Sequence, residues 1–339
     1  ETGFIVPERD FGNSTDWQDY IFRTSAATNN NLSYANNYGD GNVRATFGYG
    51  KNFGIVENTS LERITGRLNV NHRFFVDKLK LGLQSTISRV NDETAPIGAA
   101  AGYRGDLLGA AYSANPTWPT NPNFADTGGL LSPATALAYT QNNSNTNRLL
   151  VNFSAEYDII PELSAKINLG YDTSESTRVA VASKNALNFD QGVTGNGIGA
   201  LNDLNTESKL MEATLNFHKD LGDDKLDILA GYSFQDFQTD GRNVSAWGFF
   251  TEDLNTMGTA IENTANAIEG KIDGNYQQYG FAGNIEDGIF VNRLGLDDRD
   301  AEGNPQPRTD FITDLNNLGV KSMFTDTFDN KDELQSYFG

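Results

Sequence analysis

The stretch Ile64-Thr65-Gly66-Arg67-Leu68-Asn69-Val70-Asn71-His72-Arg73-Phe74 decides the fold. Ile64, Leu68, Val70 and Phe74 share one parity, and Arg63, Thr65, Arg67, Asn69, Asn71 and Arg73 share the other. Side chains of a strand alternate between its two faces, so this spacing gives one apolar and one polar face. A tight turn at Asp77-Lys78 follows, and then Leu79, Leu81, Leu83 and Ile87 alternate with Lys80, Gln84, Thr86 and Ser88. The unit is a hairpin with a greasy side and a wet side.

The hairpin recurs. Leu149, Val151, Phe153, Ala155, Tyr157 and Ile159 lead to a turn at Pro161-Glu162 and a return through Leu163, Ala165, Ile167, Leu169 and Tyr171. Met211, Ala213, Leu215 and Phe217 lead to Gly222-Asp223 and then Leu226, Ile228, Ala230, Tyr232 and Phe234. A shorter copy has Leu32 and Tyr34 before Gly39-Asp40-Gly41, then Val43, Ala45, Phe47 and Tyr49. About eight strands result, with apparent lengths of about 9–15 residues, whereas soluble sheets favour about 5–6. A tilted membrane strand needs about 9–11.

Connections alternate between tight turns and long excursions, the latter expected over Asn91–Asn147, Thr173–Thr206 and everything after Asp236. Short turns on one rim and long loops on the other are the asymmetry of an outer-membrane barrel. The expected fold class is all-β, a transmembrane antiparallel β-barrel segment. Residues 1–238 are expected to hold the early barrel strands, and 239–339 a long extracellular loop region leading to a strand that begins near Leu334. Tyr157, Tyr171, Phe74, Phe75 and Phe217 are placed for aromatic girdles, and Arg63, Arg67, Arg73, Lys80, Glu156, Asp158, Lys166 and Asp227 for a polar lumen. Because the strand entering Gly39 runs towards the tight-turn rim, the chain is expected to start on the outside, with further strands needed to close a barrel.

Composition excludes several other functions. The absence of cysteine removes disulfide frameworks and thiolate metal sites. Two histidines leave little room for histidine catalysis or zinc, and a net charge of -20 argues against nucleic acid. No apolar run reaches the roughly 20 residues of a membrane helix. His72 takes the apolar parity and His218 the polar one, so both are expected to be structural. No acid–base or nucleophile set converges, and the chain is expected not to be an enzyme.

Ordered blocks across residues 13–238 resemble the SusC/RagA-like TonB-dependent transporters. They include Thr15-Asp16-Trp17-Gln18-Asp19-Tyr20-Ile21-Phe22-Arg23-Thr24, Asn31-Leu32-Ser33, Phe47-Gly48-Tyr49 and Gly54-Ile55-Val56-Glu57-Asn58-Thr59. Arg63 to Gly82, Asn115-Pro116-Thr117-Trp118-Pro119, Arg148 to Gly170 and Leu229-Ala230-Gly231-Tyr232-Ser233-Phe234-Gln235 follow in the family's order. The resemblance implies a 22-stranded barrel with an N-terminal plug and coupling to the TonB complex through the missing N-terminal region. It also implies a SusD-like surface lipoprotein partner and import of glycans or peptides across the bacterial outer membrane. A passive porin or structural barrel component, and a secreted glycan-binding β-sandwich or adhesin, remain open beside it.

Candidate sites lie in the loop region. Trp247, Phe249, Phe250, Tyr276 and Tyr279 offer faces for stacking on sugars or peptide side chains, or for packing within the loop. Asp298, Asp300 and Glu302 imitate the start of a Ca2+ loop, with Gly303 at its sixth place. Its twelfth place is Thr309 instead of glutamate, which also fits a plain turn. No other cofactor is expected. Gly195-Asn196-Gly197-Ile198-Gly199 has no lysine after it and is expected to be outer loop.

Overall fold

The computed structural model describes residues 9–97, 106–124, 132–186, 197–222, 224–268, 276–281, 289–290 and 319–338. Its strands are β1 (Ala27–Tyr38), β2 (Gly41–Phe53), β3 (Ser60–Phe74), β4 (Leu79–Glu93), β5 (Thr140–Ile160), β6 (Leu163–Ala182), β7 (Ile198–Leu221), β8 (Asp224–Phe249), β9 (Tyr276–Phe281), β10 (Ile289–Phe290) and β11 (Val320–Phe338). Among the described residues four helices, α1 (Trp17–Ile21), α2 (Leu107–Ser113), α3 (Pro133–Tyr139) and α4 (Leu254–Ile268), lie in the connections. All strands join one antiparallel sheet, in chain order from β1 to β8, with β11 next to β8 and β9–β10 beyond it.

Register explains why the alternation matters. Residues paired across antiparallel strands point to the same side, so apolar positions line up in rows. One row runs Val70, Leu83, Phe153, Leu169, Met211, Phe234, and the next runs His72, Leu81, Ala155, Ile167, Ala213, Tyr232. These rows form a continuous apolar band on one face. Among the described residues no second layer covers it: Leu32 is 72% exposed, Ile87 61% and Ile228 52%. An apolar surface this extensive is rare on a soluble monomer and calls for an apolar solvent. No helix among the described residues is long and apolar enough to cross a membrane, which says nothing of strands.

Tight turns fall where expected, at 39–40, 75–78, 161–162 and around Gly222. The long connections all leave the opposite rim. Phe74 and Tyr157 sit in one register row at the tight-turn end of the band, and Tyr171 lies near its far end.

Strand lengths differ from expectation. The strands β5 to β8 have 21, 20, 24 and 26 residues, so most of the expected loop 173–206 is paired strand. Strand β11 begins at Val320, well before Leu334. The cause is physical: hydrophobic alternation stops where the apolar band stops, but backbone pairing continues through Thr173–Arg178 and Asn202–Thr206. Ile198 and Gly199, expected in a loop, open β7; Gly195 and Asn196 lie outside the described residues.

Among the described residues, buried cores occur only beyond the band. In one, Trp17, Ile21, Leu107, Ala111, Trp118, Ala134 and Ala136 pack together. There the blocks near residues 15 and 117 meet: Thr15 N–H donates to the Pro116 carbonyl at 2.7 Å and Trp17 Nε1 to the Asn115 carbonyl at 2.9 Å. In the other, Met257, Ile261 and Ala265 of α4 pack on Val181, Leu201, Val244, Ala246, Phe249, Val320 and Met323. The spacing of four places those α4 residues on one helix face. Gly199 makes the fit possible, since a Cβ there would run into Ile261, Phe249 and Val181.

Candidate functional site

The face opposite the apolar band is the chemically interesting one. Across β4 to β8 its register rows carry charge that is largely matched. Lys80 Nζ lies 2.8 Å from Glu156 Oε1 and 3.6 Å from Asp158 Oδ2. Arg148 meets Asp172 through two guanidinium nitrogens, at 2.9 and 2.5 Å. Arg178 Nε donates to Asn142 Oδ1 at 2.9 Å, and Asn168 Nδ2 to Glu212 Oε2 at 3.3 Å. Such half-exposed pairs each contribute about 0–1 kcal/mol. Their effect is to keep a wet wall nearly neutral and its side chains ordered. The wall is interrupted by Val90, Leu150, Leu210 and Phe237, which share its parity.

The five aromatics expected in the loop region fall on different elements. Trp247 and Phe249 lie at the end of β8, not in a loop. Trp247 lines an apolar groove of about 380 Å³ with Pro96, Ala180, Ala182, Ile198 and Ala200. Ala180, Ala200 and Ser245 are register partners, which puts this groove on the polar face near the long-connection rim. Phe249 is turned the other way, into the core beneath α4; Gly248 between them has φ of +74° and allows the reversal. Phe250 is exposed. Tyr276 and Tyr279 belong to β9, paired with Asp326 and Met323 of β11. The groove around Trp247 was missed in the sequence because its floor is alanine. Carrying parity across the register is the signal that finds it.

The acidic run Asp298, Asp300 and Glu302 lies outside the described residues. Among the described residues no group of three or more metal-ligating side chains converges. His72 packs on the apolar face between Tyr38 and Phe74, with ring centroids 5.7 and 4.2 Å away. His218 pairs with Asp227 on the polar face near a tight turn.

At the long-connection rim, Lys184 and the Asn185 amide grip Glu252 and hold its carboxyl below the usual carboxylate range. Asp253 caps α4: its Oδ1 accepts from the Thr256 hydroxyl at 2.6 Å and the Thr256 N–H at 2.8 Å. Those two bonds lower its pKa in the same way. The rim is therefore tied down by side-chain chemistry where the sheet ends.

No protein-family model matches the chain. It is 25% identical over 271 residues to the TonB-dependent receptor SusC of Bacteroides thetaiotaomicron, covering 71% of this chain and 26% of that protein. To the TonB-dependent receptor P3 of Formosa agariphila it is 29% identical over 254 residues, covering 71% and 24%. The RagAB peptide transporter structure superposes with a TM-score of 0.61 at 19% identity, over 74% of this chain and 29% of that one. The RagAB peptide importer in its open-open state gives 0.58 at 18% identity, over 74% and 28%. The chain spans about a quarter of the length of the curated relatives it matches. The fold is that of a β-barrel wall. In sequence the chain is similar to SusC-like TonB-dependent receptors over 71% of its length, and in fold to the RagAB structures over 74%.

Proposed function

We propose that this sheet is part of the wall of an outer-membrane transporter that imports large nutrients, glycans or peptides, in a TonB-dependent manner. The observation that carries this reading is the pairing of an uncovered apolar band with a charged polar face, balanced and held in register from β4 to β8. Lipid faces the band, solute passes along the polar face, and the tight turns point to the periplasm. The long connections, with α1 to α4, stand on the cell surface. There they meet a SusD-like lipoprotein that lids the opening, in a barrel of 22 strands whose plug couples to TonB. The receptor names of the relatives and the peptide-transporter structures favour import over passive diffusion.

The test is made with the full-length protein in its host. It is expected in the detergent-extracted outer-membrane fraction, with external protease cutting the 94–139 and 250–319 connections and sparing the turn at 75–78. Uptake of its solute should stop when either its gene or that of TonB is deleted. Recovery in the soluble fraction, or uptake indifferent to TonB, overturns the reading.

A further inference from the structure

The balance of charge on the polar face fails at one end of the sheet. On β1, β2 and β3 that face carries Arg44, Arg63, Arg67 and Arg73 and not one carboxylate. Its other positions are mostly asparagine, threonine, serine and glycine. Arg73 lies 3.7 Å from Asp77 in the turn, whereas Arg44, Arg63 and Arg67 form no ion pair among the described residues. In a chain of net charge -20, three exposed, unmatched arginines on an acid-free wall are a local inversion of sign.

The same place is a recess. Gly48 and Gly50 lie on this face of β2, and a Cβ at either would come within 2.9 Å of Asn31 Oδ1 or 2.6 Å of Asn29 Oδ1. The glycines let the two asparagine amides fold over β2. The hollow that remains, of about 420 Å³, is bordered by Asn29, Asn31, Thr46, Asn52, Arg63 and Arg67. Arg63 and Arg67 are four residues apart on one strand, about 13 Å at the usual rise. They bracket Thr65, and among the described residues neither guanidinium fork has a hydrogen-bond or ion-pair partner.

Guanidinium forks match carboxylate and sulfate oxygens two at a time. Amides and hydroxyls donate and accept, as neighbouring sugar hydroxyls require. The recess has a carpet of such groups, and Tyr49 and Leu61 supply its apolar border, a mixed lining of the kind a sugar ring with its hydroxyls presents. Resting on the transport reading above, we propose that it is a subsite for an acidic oligosaccharide, with Arg63 and Arg67 taking its carboxylate or sulfate groups and the amides its hydroxyls. Arg44, diagonal to Arg67 across the Thr46 pair, extends the positive surface along which the solute moves.

The test is calorimetric binding to the full-length protein purified in detergent, with hexagalacturonate, neutral maltohexaose and hexaglutamate as probes. Hexagalacturonate should bind the wild type best, more weakly as salt shortens a screening length of about 10 Å at 0.1 M. R63Q/R67Q should weaken it by about tenfold or more, the scale of a lost charge-assisted contact, with maltohexaose unchanged. R63K/R67K, which keeps charge and loses the fork, should fall between. No hexagalacturonate binding to the wild type overturns the proposal, as does equal affinity in R63Q/R67Q. Hexaglutamate binding as tightly, with the same arginine dependence, also overturns it by assigning the recess to acidic peptides. These outcomes are read on purified protein, so they are separate from a failure of TonB-dependent uptake in cells.

Discussion

Val76 holds a φ of +55° between Phe75 at +56° and Asp77 at +65°. Three consecutive non-glycine residues in the left-handed region close the β3–β4 turn, and a β-branched side chain is the least suited of them. Val76 is 97% exposed and has no packing to offset that cost. Val76→Asn should therefore stabilise the folded barrel by about 1 kcal/mol, because asparagine tolerates this conformation; the check is urea unfolding of the full-length protein from detergent or lipid. Asp253 gives a prediction in pH. Its folded pKa lies below the ordinary aspartate value, so its contribution is present above that value and is lost as pH falls through the lowered one. Glu252 has the same sign. Attachment of α4 should then be constant from neutral pH to about 5 and loosen only below the usual carboxylate range of about 4. Amide exchange of residues 254–265 measures it, and Asp253→Ala should show loosening already at neutral pH. Little of this was legible in the sequence. Asp77-Lys78 marks a turn, but not the left-handed path through Phe75 and Val76, and Asp253 stands among too many acids to be singled out as a cap.

Helix α4 shows the limits of periodicity at the scale of elements. Met257, Ile261 and Ala265 make a single narrow stripe amid Asn255, Thr256, Thr259, Glu262 and Asn263, too thin to stand out in a loop-like composition. The strands were legible because each carries many apolar residues in strict alternation, enforced by contact with lipid. Their upper halves were not, because in water both faces can be polar and only hydrogen bonding to a neighbour defines a strand. The same rule separates the two candidate sites: Trp247 was visible as an aromatic, whereas the alanine floor beneath it was not. The core under α4 makes a firm prediction. Ile261 is fully buried, and Ile261→Ala should cost the docked helix about 2–5 kcal/mol. Limited proteolysis of the full-length protein should then cut between Thr251 and Ile268 while leaving the barrel strands intact. Equal protection in wild type and variant would refute the packing of α4 on β6 to β8.

The whole molecule makes a prediction about its two faces. Leu83 lies in the middle of the apolar band, between Val70 and Phe153, and Gln84 next to it belongs to the opposite face between Asn69 and Asn152. Leu83→Lys should cost about 2–4 kcal/mol in a lipid bilayer and Gln84→Lys close to nothing. Equal costs, measured by unfolding from vesicles, would mean that the band does not face lipid. The order of pairing has a further consequence, for assembly. From β1 to β8 each strand pairs with the one just made, so hairpins can zip forward across the tight turns, with 94–139 the longest connection to close. Strand β11 must instead find β8 after the 250–319 connection, on the order of 3 kcal/mol more closure entropy than a two-residue turn. Helix α4 comes first out of that connection and packs on β6, β7, β8 and β11 together. It acts as a fastener across the slowest seam: once seated, it shortens the search that β11 must make. A barrel whose α4 cannot seat should stall as a half-zipped intermediate, waiting at β8.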